Sequence, residues 1–206
     1  MKRIYSLELL RFIAATAVAC THLSIYFFQN HIRFLGDGGV YLFFIISGFV
    51  IMLSAENNPN KFFIKRLIRI TPTYYFFTIG VFFISLILPS LLTYPSQNII
   101  DLLKSLLFIP FNKNGVGHSP LLYVGWTLNY EMYFYLLCSL ALKINNKNID
   151  FIITSLISGI YLFCLNFSEL PLVAYSNNIV FNFVLGIFIY RVYRKNYKKA
   201  FFIMII

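Results

Sequence analysis

Apolar residues gather in runs of membrane-spanning length at positions 5–28, 37–55, 70–90, 122–142, 150–167 and 176–191, and a further run starts at Ala200 and stops with the chain at Ile206. About 20 predominantly apolar residues carry a helix across the hydrocarbon core. A backbone crossing lipid must satisfy its own hydrogen bonds, which a helix does internally. The pattern therefore predicts an all-α, multi-pass transmembrane helical bundle of six complete spans and a cut-off seventh, forming one incomplete domain over 1–206. Positions 99–111 are too short to span and predict a short helix that lies along the interface or re-enters. The tetrad Gly36-Asp37-Gly38-Gly39 reads as a turn opening the second span, and Pro72 predicts a bend where a basic approach helix meets the third.

Composition sharpens this picture. The chain has 206 residues, of which 59% are hydrophobic and 19% aromatic, and its mean hydropathy is +0.75. Only 12% are charged, against about 25% in soluble domains. The net charge of +10 does not point to nucleic acid, because the positive residues cluster in short loops between spans. With the N-terminus cytoplasmic, thirteen of the seventeen Lys and Arg fall on the inner side. Only Arg33, Lys104 and Lys113 fall outside, and Arg11 lies within the membrane. The positive-inside rule selects that orientation, and the expected location is an integral inner or plasma membrane. Cys20, Cys138 and Cys164 lie within apolar runs and show no metal-ligand spacing or disulfide framework. Glu8 and Arg11 interrupt what would be the apolar core of a signal peptide, so the first run reads as an uncleaved span.

Ionisable residues inside spans are the candidate chemistry. Arg11 and His22 are eleven residues apart, three helical turns with about 20° of drift, so they share a stripe with Glu8 and lie roughly 16 Å apart along the axis. An arginine near mid-bilayer costs on the order of 3 kcal/mol on insertion scales and should face a polar partner or a wet cavity. Glu8, three residues earlier, is the candidate partner. The plain alternative is a structural ion pair beside a helix-packing histidine. In the fourth long run, Thr127, Glu131 and Tyr135 recur every four residues, and Glu131 is the only acid there. Trp126, at the outer end, fits an interfacial belt. Arg66 and Arg69 share a face and could clamp one polyanion, with topological anchoring as the alternative. Ser47 precedes Gly48, and small residues there permit close helix approach; no base is placed to activate Ser47 as a nucleophile. His31 and His118 lie in outer loops, and Asn182 is the main polar residue of the sixth run. Asn166-Phe167-Ser168 has the form of a glycosylation sequon.

These residues resemble the acyltransferase-3 family of integral membrane O-acyltransferases, which includes O-antigen and other envelope-sugar acetylases. The likeness runs over about 4–140. It is carried by Glu8 with Arg11-x10-His22, by Gly39-Val40-Tyr41-Leu42-Phe43-Phe44-Ile45-Ile46-Ser47-Gly48-Phe49, by Arg66-x-x-Arg69-Ile70-x-Pro72-x-Tyr74, and by Trp126-Thr127-Leu128-x-x-Glu131-x-x-Phe134-Tyr135. The resemblance implies transfer of an acyl group, typically acetyl, from cytosolic acyl-CoA to a hydroxyl of an envelope or extracytoplasmic sugar. It implies His22 as general base, Arg11 near the pantetheine arm or the developing oxyanion, and Glu131 orienting His22 or holding Arg11. Arg66 and Arg69 would meet the donor phosphates, with Glu8, Ser47, Trp126 and Tyr135 shaping the site. No metal and no tightly bound cofactor are expected.

Two positions depart from the family pattern, Glu8 where Asp is common and Phe12 where Gly is common. Family members also carry more spans, so the apolar half-span at the end predicts a truncated product that lacks some walls of the cavity. The rival reading is a transporter, with buried Arg, Glu and His forming an ion or proton relay; the spans show no inverted repeat.

Overall fold

The computed structural model describes residues 5–27, 33–57, 59–112, 119–167 and 171–203. His31, Lys113, His118 and Ser168 lie outside the described residues. Seven α-helices and no strand occur among those described: α1 Tyr5–Phe27, α2 Arg33–Asn57, α3 Phe62–Ile87, α4 Ile99–Leu106, α5 Trp126–Ile144, α6 Ile149–Cys164 and α7 Val180–Ile203. The protein is all-α. Four stretches, Tyr5–Leu23, Leu35–Asn57, Pro59–Ile87 and Asn146–Cys164, are long and apolar enough to cross a membrane. The chain forms two compact units, 1–54 with 178–206, and 55–177.

In the first unit, α1 and α2 run antiparallel and touch through glycine. A Cβ at Gly36 would lie 2.7 Å from the Thr21 side chain, and one at Gly39 would lie 2.8 Å from the Ala14 carbonyl. That fit corrects the expected turn. The tetrad at 36–39 is helical, because its glycines admit the neighbouring backbone and are not needed to reverse the chain. Further along, α2 meets α7 at Gly48 and Gly186, where a Cβ on either would strike the other helix's backbone. Phe49 then packs edge-on against Tyr190 at 5.4 Å. Buried Val180, Phe183, Ile187 and Tyr190 form the α7 stripe, at the three- and four-residue spacing of one helical face.

The expected seventh span is also corrected. α7 continues through the basic stretch 191–199 to Ile203. No Gly or Pro lies between Tyr190 and Phe201, and Lys and Arg are good helix formers.

In the second unit, α3 runs unbroken through Pro72, joining the basic approach to the span. α5 packs on α3 and α6. α6 buries Ile149, Ile153, Ile157 and Cys164, and α5 buries Phe134, Leu137, Cys138 and Ala141.

Between α3 and α5 the chain turns back. Gln97 donates to the Ser85 carbonyl at 3.2 Å. The Tyr74 hydroxyl donates to the Ser105 carbonyl at 3.0 Å, and Tyr75 donates to that of Leu106 at 2.9 Å. Hence α4 begins beside the far end of the 26-residue α3 and ends beside its middle. Ile99, Ile100, Leu103 and Leu107 form the exposed apolar side of this stretch.

Candidate active site

On α1, the packed face carries Ala14 and Thr21, both buried. At 100° per residue, Arg11 and His22 sit roughly 60–100° around the helix from those two residues, as a stripe beside the α2 contact. Arg11 is half-buried, whereas Glu8 and His22 are exposed. The glycine contacts at Thr21 and Ala14 therefore fix the rotation of α1 and with it the direction of this stripe. Ser47 is half-buried on α2, next to the Gly48 crossing.

In the second unit, the basic and acidic motifs meet. Arg66 is buried, 9% exposed. Its guanidinium carbon lies 5.8 Å from the Phe62 ring centroid and 5.7 Å from that of Tyr135, within cation–π range. Phe62 and Tyr135 are themselves edge-on at 6.1 Å. The Tyr135 hydroxyl donates to Glu131 Oε2 at 3.0 Å, a bond along the stripe that the four-residue spacing predicts. Arg69 is exposed but remains within electrostatic reach of Tyr135, as do Glu131 and Arg66. One aromatic ring thus joins a buried cation to a carboxylate. Such an arrangement holds a carboxylate oxygen in place while a second cation stays accessible to a ligand.

Trp126 packs edge-on against Tyr130 at 6.0 Å. The Tyr130 hydroxyl donates to the Ala174 carbonyl at 2.7 Å, which pins the start of α5 to the segment after α6. Trp126 thereby belongs to an aromatic cluster with Tyr130, Tyr133 and Tyr175; the last two stack at 4.5 Å.

Three features have no counterpart in the sequence reading. Tyr74 and Tyr75 close the end of α4, a pairing across 31 residues that no local spacing signals. Phe108 adopts a left-handed backbone with φ 57°. Asn129 is 3% exposed, and neither polar atom of its side chain has a hydrogen-bond partner. Asn129 was legible only as an amide within an apolar run. Among the described residues no group of three or more His, Cys, Asp or Glu gathers as metal ligands.

The architecture is that of a helical membrane protein with ionisable groups on and between its helices. A family model described as "Acyltransferase domain" matches residues 4–206, and the chain belongs to that acyltransferase-3 family. It is 30% identical over 166 residues to the exopolysaccharide production protein ExoZ of Rhizobium meliloti (strain 1021), covering 75% of this chain and 50% of ExoZ. It is 27% identical over 168 residues to ORF330 of Acidianus two-tailed virus, named as an inferred acetyltransferase, covering 78% and 49% of the two chains. The chain spans about half the length of these curated relatives. No solved structure matches it.

Proposed function

We propose that this chain carries the donor-binding and proton-abstracting part of a membrane O-acyltransferase that moves an acyl group, acetyl above all, from acyl-CoA to a hydroxyl of an extracytoplasmic polysaccharide. The observation that carries the reading is the Arg66–Tyr135–Glu131 cluster, in which two motifs of the family meet through a cation–π contact and a hydrogen bond. A relative named for exopolysaccharide production supports the carbohydrate acceptor.

In this reading the His22 imidazole takes the proton of the acceptor hydroxyl. The oxygen attacks the thioester carbonyl, the carbon–sulfur bond breaks, and CoA leaves as thiolate. The histidine returns its proton to the sulfur, so no net proton is consumed at the site. Arg11, on the same stripe, stabilises the oxyanion of the tetrahedral intermediate. Arg69 meets donor phosphates from its exposed position and Arg66 from the aromatic cluster, while Glu131 orients the cationic groups. Glu8, Ser47, Trp126 and Tyr135 take the site-shaping roles that the family resemblance implies. Acyl-CoA is cytosolic, and the N-terminus faces the cytoplasm of an inner or plasma membrane, in keeping with thirteen of seventeen Lys and Arg on that side.

The test is transfer of label from radiolabelled acetyl-CoA to polysaccharide by membranes carrying the chain. Wild type labels glycan, and His22→Ala at equal expression reduces it by at least about 100-fold, the lower end of a general base's contribution. Equal labelling by wild type and His22→Ala would end this assignment.

A further inference from the structure

The shared end of α3 and α5 carries a groove of about 820 Å³, within the range of small-molecule sites. It is separate from the groups assigned to acyl transfer, and its lining divides sharply. Lys61 and Lys143, both exposed, stand at its rim with Asn60 and Asn146. Leu140 and Leu136 lie about one and two turns back along α5 from Lys143, roughly 5 and 10 Å nearer its middle. Ile64 lies one turn inside Lys61 on α3. These three wall residues are 42%, 49% and 58% exposed, so the wall is open from the side.

We infer that this groove binds an anionic phospholipid. Two ammonium groups at a helix end offer a phosphate charge complementarity, and the apolar wall leading inward matches the first carbons of an acyl chain. A soluble anion would use the lysines and leave the wall bare, and a zwitterionic lipid would use the wall with weaker attraction to the lysines. The position is also that of interfacial lysines, each of which strengthens attraction to anionic lipid by about fivefold. Phe62 lines the same groove and stacks edge-on against Tyr135. An occupant would therefore rest against the residue that backs the Arg66 cluster.

The experiment compares the full chain in nanodiscs of phosphatidylcholine alone and of phosphatidylcholine with phosphatidylglycerol. Native mass spectrometry counts the lipid retained, and the unfolding midpoint is read in parallel. Phosphatidylglycerol is expected to be retained selectively and to raise the midpoint, as any ligand of the folded state does. Lys61→Ala with Lys143→Ala lowers that retention about 25-fold, fivefold per lysine, and Lys61→Arg with Lys143→Arg keeps it. Lys147→Ala with Lys195→Ala removes equal charge outside the groove and lowers retention clearly less than the groove pair does. The inference is overturned by equal retention of both lipids, or by an equal loss in the outside pair. It is also overturned if free CoA displaces phosphatidylglycerol from wild type, which would give the groove to a nucleotide. Should the double alanine variant not fold, Leu140→Trp fills the wall with both charges kept. Loss of selective retention then supports the site, and unchanged retention overturns it. None of these readouts requires acyl transfer, so failure here and failure of the enzymatic reading are distinguishable.

Discussion

Tyr135 donates its hydroxyl to Glu131 one turn earlier on α5, and the opposite edge of the same contact network holds Arg66 over its ring. The two interactions separate cleanly by substitution. Tyr135→Phe keeps the ring beneath Arg66 and removes only the hydrogen bond, which contributes about 0.5–1.5 kcal/mol to stability. Its unfolding midpoint should fall slightly, while acetyl transfer falls about tenfold or more because the Glu131 carboxylate loses its anchor. Tyr135→Leu removes both interactions and should lose about 2–4 kcal/mol, as large aromatic truncations in packed sites do. Thermal unfolding and label transfer, measured side by side, check the pair. If the two variants are equally stable, Arg66 gains nothing from the ring.

At the α2–α7 crossing, Gly48 and Gly186 leave no room for a methyl group. A Cβ at Gly48 would come within 3.1 Å of the Gly186 Cα, and one at Gly186 within 3.0 Å of the Gly48 Cα, with a carbonyl oxygen closer still in each case. Backbone cannot step aside as a flexible side chain can. Gly48→Ala and Gly186→Ala should each cost about 1–3 kcal/mol by overpacking. Gly80, in the middle of α3, meets nothing within 4 Å. Gly80→Ala should therefore stabilise by up to about 1 kcal/mol through helix propensity. Opposite signs of the midpoint shift in detergent are the expected outcome; a destabilised Gly80→Ala would contradict the open space around it.

Much of this architecture was readable along the chain because spanning helices must be apolar and continuous. α1, α3 and α6 lie where the apolar runs lie, and Glu131 and Tyr135 share the stripe that their four-residue spacing predicts, where the structure adds a hydrogen bond. What was not readable depends on partners distant in sequence. The glycines at 36 and 39 carry a turn signature, and only Thr21 and Ala14 of α1 reveal why they are helical. The basic stretch at 191–199 resembles a loop between spans, yet nothing in it breaks a helix, so α7 continues. Tyr74 was legible as a motif residue, but its carbonyl partner lies 31 residues later.

The end of α4 offers a test of backbone strain. The Phe108 N–H bonds to the Ser105 carbonyl at 3.0 Å, and that of Ile109 to Lys104 at 2.9 Å. This is the Schellman pattern, whose left-handed residue is usually glycine. Here it is Phe108, buried and stacked on Tyr74 at 4.8 Å. A left-handed conformation costs a non-glycine residue about 1–2 kcal/mol, so packing of the ring must outweigh it. Phe108→Ala loses the ring and keeps the strain, and should cost about 3–5 kcal/mol. Phe108→Gly loses the ring but relieves the strain, and should be about 1 kcal/mol more stable than the alanine variant. Chemical denaturation of the three proteins gives the order Phe, Gly, Ala; alanine above glycine would show that the backbone is not held left-handed.

Asn129 poses the opposite problem, a polar group that packing does not reward. Its amide is buried on α5, and neither its oxygen nor its nitrogen has a partner. A buried polar group left unsatisfied costs about 1–3 kcal/mol, and an apolar residue of similar size avoids that cost. Asn129→Leu should therefore raise the unfolding midpoint, by the equivalent of about 1–3 kcal/mol, even though it alters a tightly packed helix. Asn129→Asp should do the reverse, since it keeps the size and adds a charge that burial penalises more heavily. Tyr133, one turn further on, also holds a buried hydroxyl without a partner. Tyr133→Phe should accordingly be neutral or stabilising, with its stack on Tyr175 retained. Thermal unfolding of the three variants in one detergent decides the matter. Destabilisation by Asn129→Leu beyond what a volume-conserving swap costs, about 1.5 kcal/mol, would mean that the amide is engaged after all, by water or by a bound molecule, and that its contacts hold this part of the helix bundle together.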